Sequence, residues 1–361
     1  MDAKLIFLSP QISRTGEWFL RSGIQQPNGG VARYYRADRR CNHPVSTEIT
    51  GYAASTFVYL HSVSPDERYL DAARGAARFL ARTAWDARLS AMPFELDPPT
   101  HTYFFDCGIV VRGLLAVWRA AGEDEFLAAA LAVGQVMLRD FASTDGDFHP
   151  ILRLPGKSEE PRDPQRWSRT ASCYQLKAAM AWWDLSEATG DVCFREPYRR
   201  VLEYSLAGYR EFLPGHPDRH MVMDRLHAFC YFLEGLLPCA ADARCAVVLA
   251  EGIDLVAQLL RDIAPEFVRS DVYAQLLRAR LFADWLGAMP LDRAAAAEEA
   301  AALAGFQAAD SDRRIDGGYW FGRKGGEWLP FVNPVSAAFA SQALELWNGG
   351  AGTQPHRHLL I

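Results

Sequence analysis

Acidic residues recur at the starts of apolar helical segments in this chain. Glu48 begins Glu48-Ile-Thr-Gly-Tyr-Ala-Ala-Ser-Thr-Phe-Val-Tyr-Leu60, and Asp106 lies at the start of a nonpolar run that reaches Trp118. Asp224 precedes Arg225 and His227, Asp271 precedes Gln275, and Asn333 stands at the last such start. One reason for this pattern is structural, because Asp and Asn cap exposed N–H groups and Glu complements the positive end of the helix dipole. The other is chemical. Two carboxyls in one cleft can divide proton transfer, a protonated one donating while an ionised one acts as base or nucleophile. Glu48 and Asp106 are the preferred pair, because they open consecutive apolar helices and small residues follow both. Asp224 is a third candidate acid.

Cations and hydroxyls near the same starts extend the candidate set. Arg169 and Arg225 can grip a carboxylate through two parallel hydrogen bonds, which points to an acidic ligand. An ion pair with a neighbouring Asp is the competing reading. Tyr52, Tyr174 and His227 can serve as base and acid in a β-elimination, or they can be hydrogen-bonded core groups. Gln275 and Asn333 are polar contacts at two further starts, and Tyr34, His43, Trp167, Tyr319, Trp320 and Trp328 fall in loops near them. No GxxxxGK[ST] and no strand-linked GxGxxG occurs, so no nucleotide cofactor is expected. The seven Cys form no CxxC pair, and the close Cys-His spacings, such as His227 with Cys230, assemble no metal-ligand cluster. Neither a metal nor any other cofactor is expected, and the thiols read as small hydrophobes.

The elements that must hold these residues alternate in character. Segments apolar on every side, starting near 48, 106, 171, 224, 272 and 334, are predicted to be buried helices. One-faced helices are predicted near 12–23, 64–84, 123–141, 194–212, 242–263 and 291–309, with apolar residues three and four apart. Ser64-Pro-Asp-Glu67 reads as a capping box with Ser64 as N-cap and Pro65 in the first helical position. Gly122 and Gly190 suit left-handed positions after helices. Residues 24–47 read as a long loop, and strand signals such as Gly318-Tyr-Trp-Phe-Gly322 are short. Six inner and six outer helices predict an all-α fold, an (α/α)6 toroid of six hairpins whose inner helices point their N-termini into one funnel.

Half of the 361 residues are hydrophobic, with ten Trp, and no linker of distinct composition divides the chain. A single domain spanning 1–361 is expected, with short flexible ends at about 1–10 and 349–361. The net charge of −6 argues against nucleic acid. The opening apolar run covers four residues and no stretch reaches the length of a membrane span, so a cytoplasmic protein with no membrane partner is expected.

The chain resembles the six-hairpin glycosidase superfamily, and within it the toroid proteins of polysaccharide biosynthesis or degradation systems, including unsaturated glucuronyl hydrolases. The resemblance spans roughly residues 29–347. It rests on Glu48-Ile-Thr-Gly-Tyr52, Phe105-Asp-Cys-Gly108 with Arg112-Gly-Leu114, Ala274-Gln275-Leu276, and Gly317-Gly-Tyr-Trp-Phe-Gly322 followed by Asn333. It implies a carbohydrate-handling cleft where the inner helices begin. It also implies a hydrolase acting on an acidic, uronate-containing oligo- or polysaccharide through acids on neighbouring inner helices. A polysaccharide lyase and a non-catalytic glycan-binding component are the alternatives, and the oligomeric state is left open.

Overall fold

The computed structural model describes residues 9–64, 66–144, 147–163, 166–213, 218–349 and 356–361. In chain order its helices are α1 (Pro10–Arg21), α2 (Thr47–Val63), α3 (Glu67–Arg78), α4 (Phe104–Ala121), α5 (Asp124–Asp140), α6 (Gln175–Thr189), α7 (Arg195–Gly208), α8 (Arg219–Leu236), α9 (Ala243–Ile263), α10 (Ser270–Trp285), α11 (Arg293–Ala304) and α12 (Pro334–Gly349). The even-numbered helices form the inner ring. Each packs on the next, and α12 returns to α2 to close the circle. Burial follows the two sequence patterns. In α4 an unbroken run from Asp106 to Val117 is buried, whereas α3 buries Tyr69, Leu70, Ala73, Ala76 and Ala77 along one face. Gly122 and Gly190 end α4 and α6 at φ of +70° and +76°, which turns the chain from inner to outer helix. This is an (α/α)6 toroid.

Among the described residues, nine short strands lie in the loops that lead into or adjoin the inner helices. They are β1 (Tyr35–Arg36), β2 (Cys41–Asn42), β3 (His101–Tyr103), β4 (Ile151–Arg153), β5 (Ser158–Glu159), β6 (Phe267–Arg269), β7 (Gly322–Lys324), β8 (Glu327–Trp328) and β9 (Phe331–Val332). They pair antiparallel in three small sheets, β2-β1-β9, β3-β4-β5 and β6-β7-β8. β3, β6 and β9 hand the chain directly to α4, α10 and α12. The predicted long loop therefore contains two strands, and β1 joins the start of the chain to its last inner helix, pairing Tyr35 with Val332.

Several boundaries differ from the sequence expectation. α6 begins at Gln175, after a short 3-10 turn at Trp167–Arg169, rather than near Ala171. α8 begins at Arg219, because the Asp218 carboxylate accepts from the His220 and Met221 amides and starts the helix early. Asp224 thus lies in the second turn of α8. α3 begins at Glu67, because the Asp66 side chain accepts from Arg68 N and replaces Ser64 as cap. The expected position of Pro65 in that box lies outside the described residues.

The far end of the chain is also not loose where it is described. Leu360 and Ile361 are buried. Arg112 donates to Leu360 O at 2.9 Å, Gln342 to Leu359 O at 2.7 Å, and Lys177 and Arg278 to Ile361 O at 2.9 and 3.1 Å. Lys177 and Arg278 both pair with Glu234, and all three side chains are 0% exposed. The ring axis is filled there by a buried ionic cluster roofed by Phe339, whose ring stacks 4.0 Å from the Arg278 guanidinium carbon.

Candidate active site

Glu48 is the second residue of α2 and Asp106 the third of α4, and neither occupies the cap. Ser46 and Tyr103 are the N-caps, and neither makes a side-chain capping bond. The two helices approach closely because glycines face each other. A Cβ on Gly113 would meet Gly51 O at 2.5 Å, and one on Gly108 would meet the Ala178 backbone of α6 at 2.5 Å. Asp106 is 4% exposed, and its Oδ2 has no hydrogen-bond partner among the described residues. Burial raises the Asp106 carboxyl well above the ordinary aspartate value, and the neighbouring Glu48 charge raises it further. Burial also raises Glu48, while Arg33 opposes the rise in both acids. The pair therefore retains a proton further toward neutral pH than ordinary carboxylates do.

Arg33, on the loop before β1, is a functional candidate that the sequence reading missed. Its Nη1 donates to Glu95 at 2.9 Å, and its guanidinium carbon lies 4.6 Å from the Phe94 ring centre. Beneath the acids, the buried Tyr52 hydroxyl interacts with the Tyr231 hydroxyl, and its ring meets Phe339 at 5.2 Å. Tyr231 joins this floor, 4.5 Å from both Phe105 and His227. Burial pushes both phenols well above their ordinary value.

Across the ring, His227 and Gln275 come together, a pairing that the sequence did not reveal. His227 Nδ1 donates to Gln275 Oε1 at 2.8 Å, with Asp271 Oδ2 at 3.4 Å. That arrangement keeps the proton on Nδ1 and leaves Nε2 as the basic nitrogen. Burial lowers the ring to about 4, so it is neutral at pH 7. Gln275 Nε2 is buried and has no hydrogen-bond partner among the described residues. Arg269, at the end of β6, holds Asp271 through two hydrogen bonds of 3.0 and 2.6 Å and reaches Asp224 at 2.9 Å. Asp224 is thus an ion-pair partner of Arg269 in the second turn of α8.

The remaining candidates are dispersed. Arg169 lies 3.4 Å from Glu160, an ion pair with a glutamate where the alternative reading expects an Asp, and its charge also acts on Tyr103. Arg225 donates to Phe212 O at 2.9 Å. Tyr34 lies against His43 at 4.6 Å and Phe331 at 5.1 Å, forming an aromatic strip at the β1-β9 seam. Tyr174 donates to Ser168 O at 3.3 Å. Asn333 caps α12 by accepting from the Val335 amide at 2.8 Å. Tyr319 is buried beside Gln11 and Arg14 of outer helix α1, and Trp320 stacks on Trp328.

No protein-family model and no curated protein matches the chain. Solved structures share its architecture. One is a sugar epimerase from a ruminal bacterium, with a TM-score of 0.71, 11% identity, and 95% of this chain and 100% of that one covered. A second is the cellobiose 2-epimerase of Spirochaeta thermophila, at 0.68 and 16%, covering 93% and 94%. A third is a D-mannose isomerase, at 0.67 and 10%, covering 94% and 96%. At such identities the likeness defines a shared toroid fold.

Proposed function

We propose that this chain is a carbohydrate-processing enzyme that cleaves a glycosidic bond in an acidic, uronate-containing oligo- or polysaccharide. The observation carrying this reading is the pair of carboxyls from adjacent inner helices, neither of them a cap, with raised proton affinity and an unpartnered Asp106 oxygen. In the proposed reaction Asp106, the more buried acid, donates its proton to the leaving oxygen, and Glu48 activates water as base. Arg33 next to both acids and Arg169 near Tyr103 supply positive charge for a uronate carboxylate. The solved structures of similar fold include proteins named as acting on sugars, which supports the substrate class.

The test is to incubate the protein with oligosaccharides bearing terminal uronates, alongside their neutral counterparts, and to follow new reducing ends. Asp106→Asn and Glu48→Gln should each lower kcat by roughly a thousandfold or more while melting like the native protein. Full activity in Asp106→Asn would remove the acid from the mechanism, and equal cleavage of neutral sugars would remove the uronate.

His227 favours a second reading. A neutral imidazole with Nε2 as its basic nitrogen, oriented by Asp271 and Gln275, suits proton abstraction beside a sugar carbonyl, as epimerisation or isomerisation requires. Deuterium from heavy water would then appear at C2 of a reducing sugar, and His227→Asn would abolish its incorporation. The elimination reading is weaker, because burial works against a phenolate at either Tyr52 or Tyr174.

A further inference from the structure

Two clefts open on the side of the ring where the inner helices begin, in the gap between α6, the C-terminal end of α7, and α8. The larger holds about 660 Å³ and is bordered by Trp167, Ser172, Tyr204, Glu211 and Arg225. The smaller holds about 220 Å³ and is bordered by Trp167, Asp224 and Arg225, so the same two side chains line both. These walls are organised. Arg225 is braced on Phe212 O at 2.9 Å, and the Tyr204 hydroxyl donates to Ala171 O at 3.3 Å. Trp167 packs edge-on against Tyr174 at 5.0 Å, and Tyr174 lies 6.2 Å from Phe105, the residue before Asp106. Ring contacts therefore connect Trp167 in the cleft wall, through buried Tyr174, to the first turn of α4, which carries Asp106. Half-buried Trp167 offers a flat apolar surface, while Arg225, Glu211 and Asp224 offer donors and acceptors around it. That combination matches a pyranose, which has an apolar face and a rim of hydroxyls.

We infer that the Trp167–Arg225 clefts are a distal sugar subsite, holding a unit of an oligosaccharide whose reacting unit sits at Glu48 and Asp106. The inference rests on the carbohydrate reading above and adds that the substrate is longer than a disaccharide. The distal unit stacks on Trp167, and Arg225 donates to its hydroxyls. Since this contact lies away from the reacting bond, it contributes to binding of long substrates and nothing to binding of short ones.

The test uses di- and tetrasaccharides prepared from alginate and from pectate, with cello-oligosaccharides as the neutral series. Binding is measured by calorimetry on Asp106→Asn protein with and without Trp167→Ala, and turnover on proteins with Asp106 intact. Trp167→Ala should weaken binding of the tetrasaccharide roughly tenfold, about the worth of one stacked ring, and leave the disaccharide within about twofold. Trp167→Phe, which keeps an aromatic face, should recover part of the loss and shows that the effect is not misfolding. Identical length dependence with and without Trp167 overturns the subsite, while loss of turnover in Asp106→Asn alone would leave the acid pair standing. A length effect at Trp167 together with normal cleavage by Asp106→Asn would do the reverse. Failure of the native protein to bind any member of the three series overturns both proposals.

Discussion

Glu48→Gln should change how stability varies with pH, and the sign follows from burial. The folded protein binds a proton at Glu48 more tightly than the unfolded chain does. The Glu48 contribution is therefore intact below the ordinary carboxylate value and is lost as pH rises to about 7. Unfolding midpoints of the variant minus those of the native protein should grow more positive between pH 4.5 and pH 7.5, and a flat difference would show that Glu48 is not buried with its proton. His227 acts in the opposite direction. Its folded value of about 4 lies below the ordinary imidazole value, so its contribution is intact above about pH 6.5 and falls as pH drops toward 4. His227→Asn should remove that acid-side loss in the same titration. The two acids were candidates in the sequence because they open apolar helices, and Gln275 and His227 because they fall near the starts of two others. Arg33 and Arg269 were not legible, since both lie outside the helices and reach the site only through tertiary pairing. Asp224 was misplaced by one helical turn, because the Asp218 cap starts α8 early.

Helix packing around the acids depends on missing side chains. At Gly108 an added Cβ would meet the Ala178 backbone at 2.5 Å, and backbone cannot step aside as a flexible side chain can. Gly108→Ala should therefore cost about 1–3 kcal/mol in denaturant unfolding, and it should reduce turnover more than stability because it parts α4 from α6 next to Asp106. An unchanged midpoint would mean that the helices can separate freely. The alternation of all-apolar and one-faced segments made the twelve helices readable, and the left-handed glycines made the turns at Gly122 and Gly190 readable. Short strands such as β1 and β9 were not, because a two-residue strand has no period to detect and its partner lies nearly 300 positions away in sequence. The same topology explains Tyr319. Its glycine-rich surroundings read as an open loop, whereas Gly317 and Gly318 let that loop press directly onto α1.

At the scale of the whole ring, the axis is held by charges that leave little tolerance for losing one partner. Glu234 sits between Lys177 and Arg278 with none of the three exposed, so Glu234→Gln removes the carboxylate with which both buried bases pair. A loss of about 3–5 kcal/mol is expected by denaturant titration, and a loss below about 1 kcal/mol would show that water reaches the cluster. Deleting residues 356–361 should lower the melting temperature as well, because Arg112, Lys177, Arg278 and Gln342 all donate to that segment. Closure of the circle has a further consequence during synthesis. α2 acquires its second inner neighbour only when α12 emerges, close to 290 residues later. At ribosomal speeds of about 5–20 residues per second, that flank of the first hairpin waits roughly 15–60 s for its partner. Throughout that interval an apolar helix surface bearing Tyr52 stands open to chaperones, and a nascent chain stalled before α12 should remain chaperone-bound and sensitive to protease within α2.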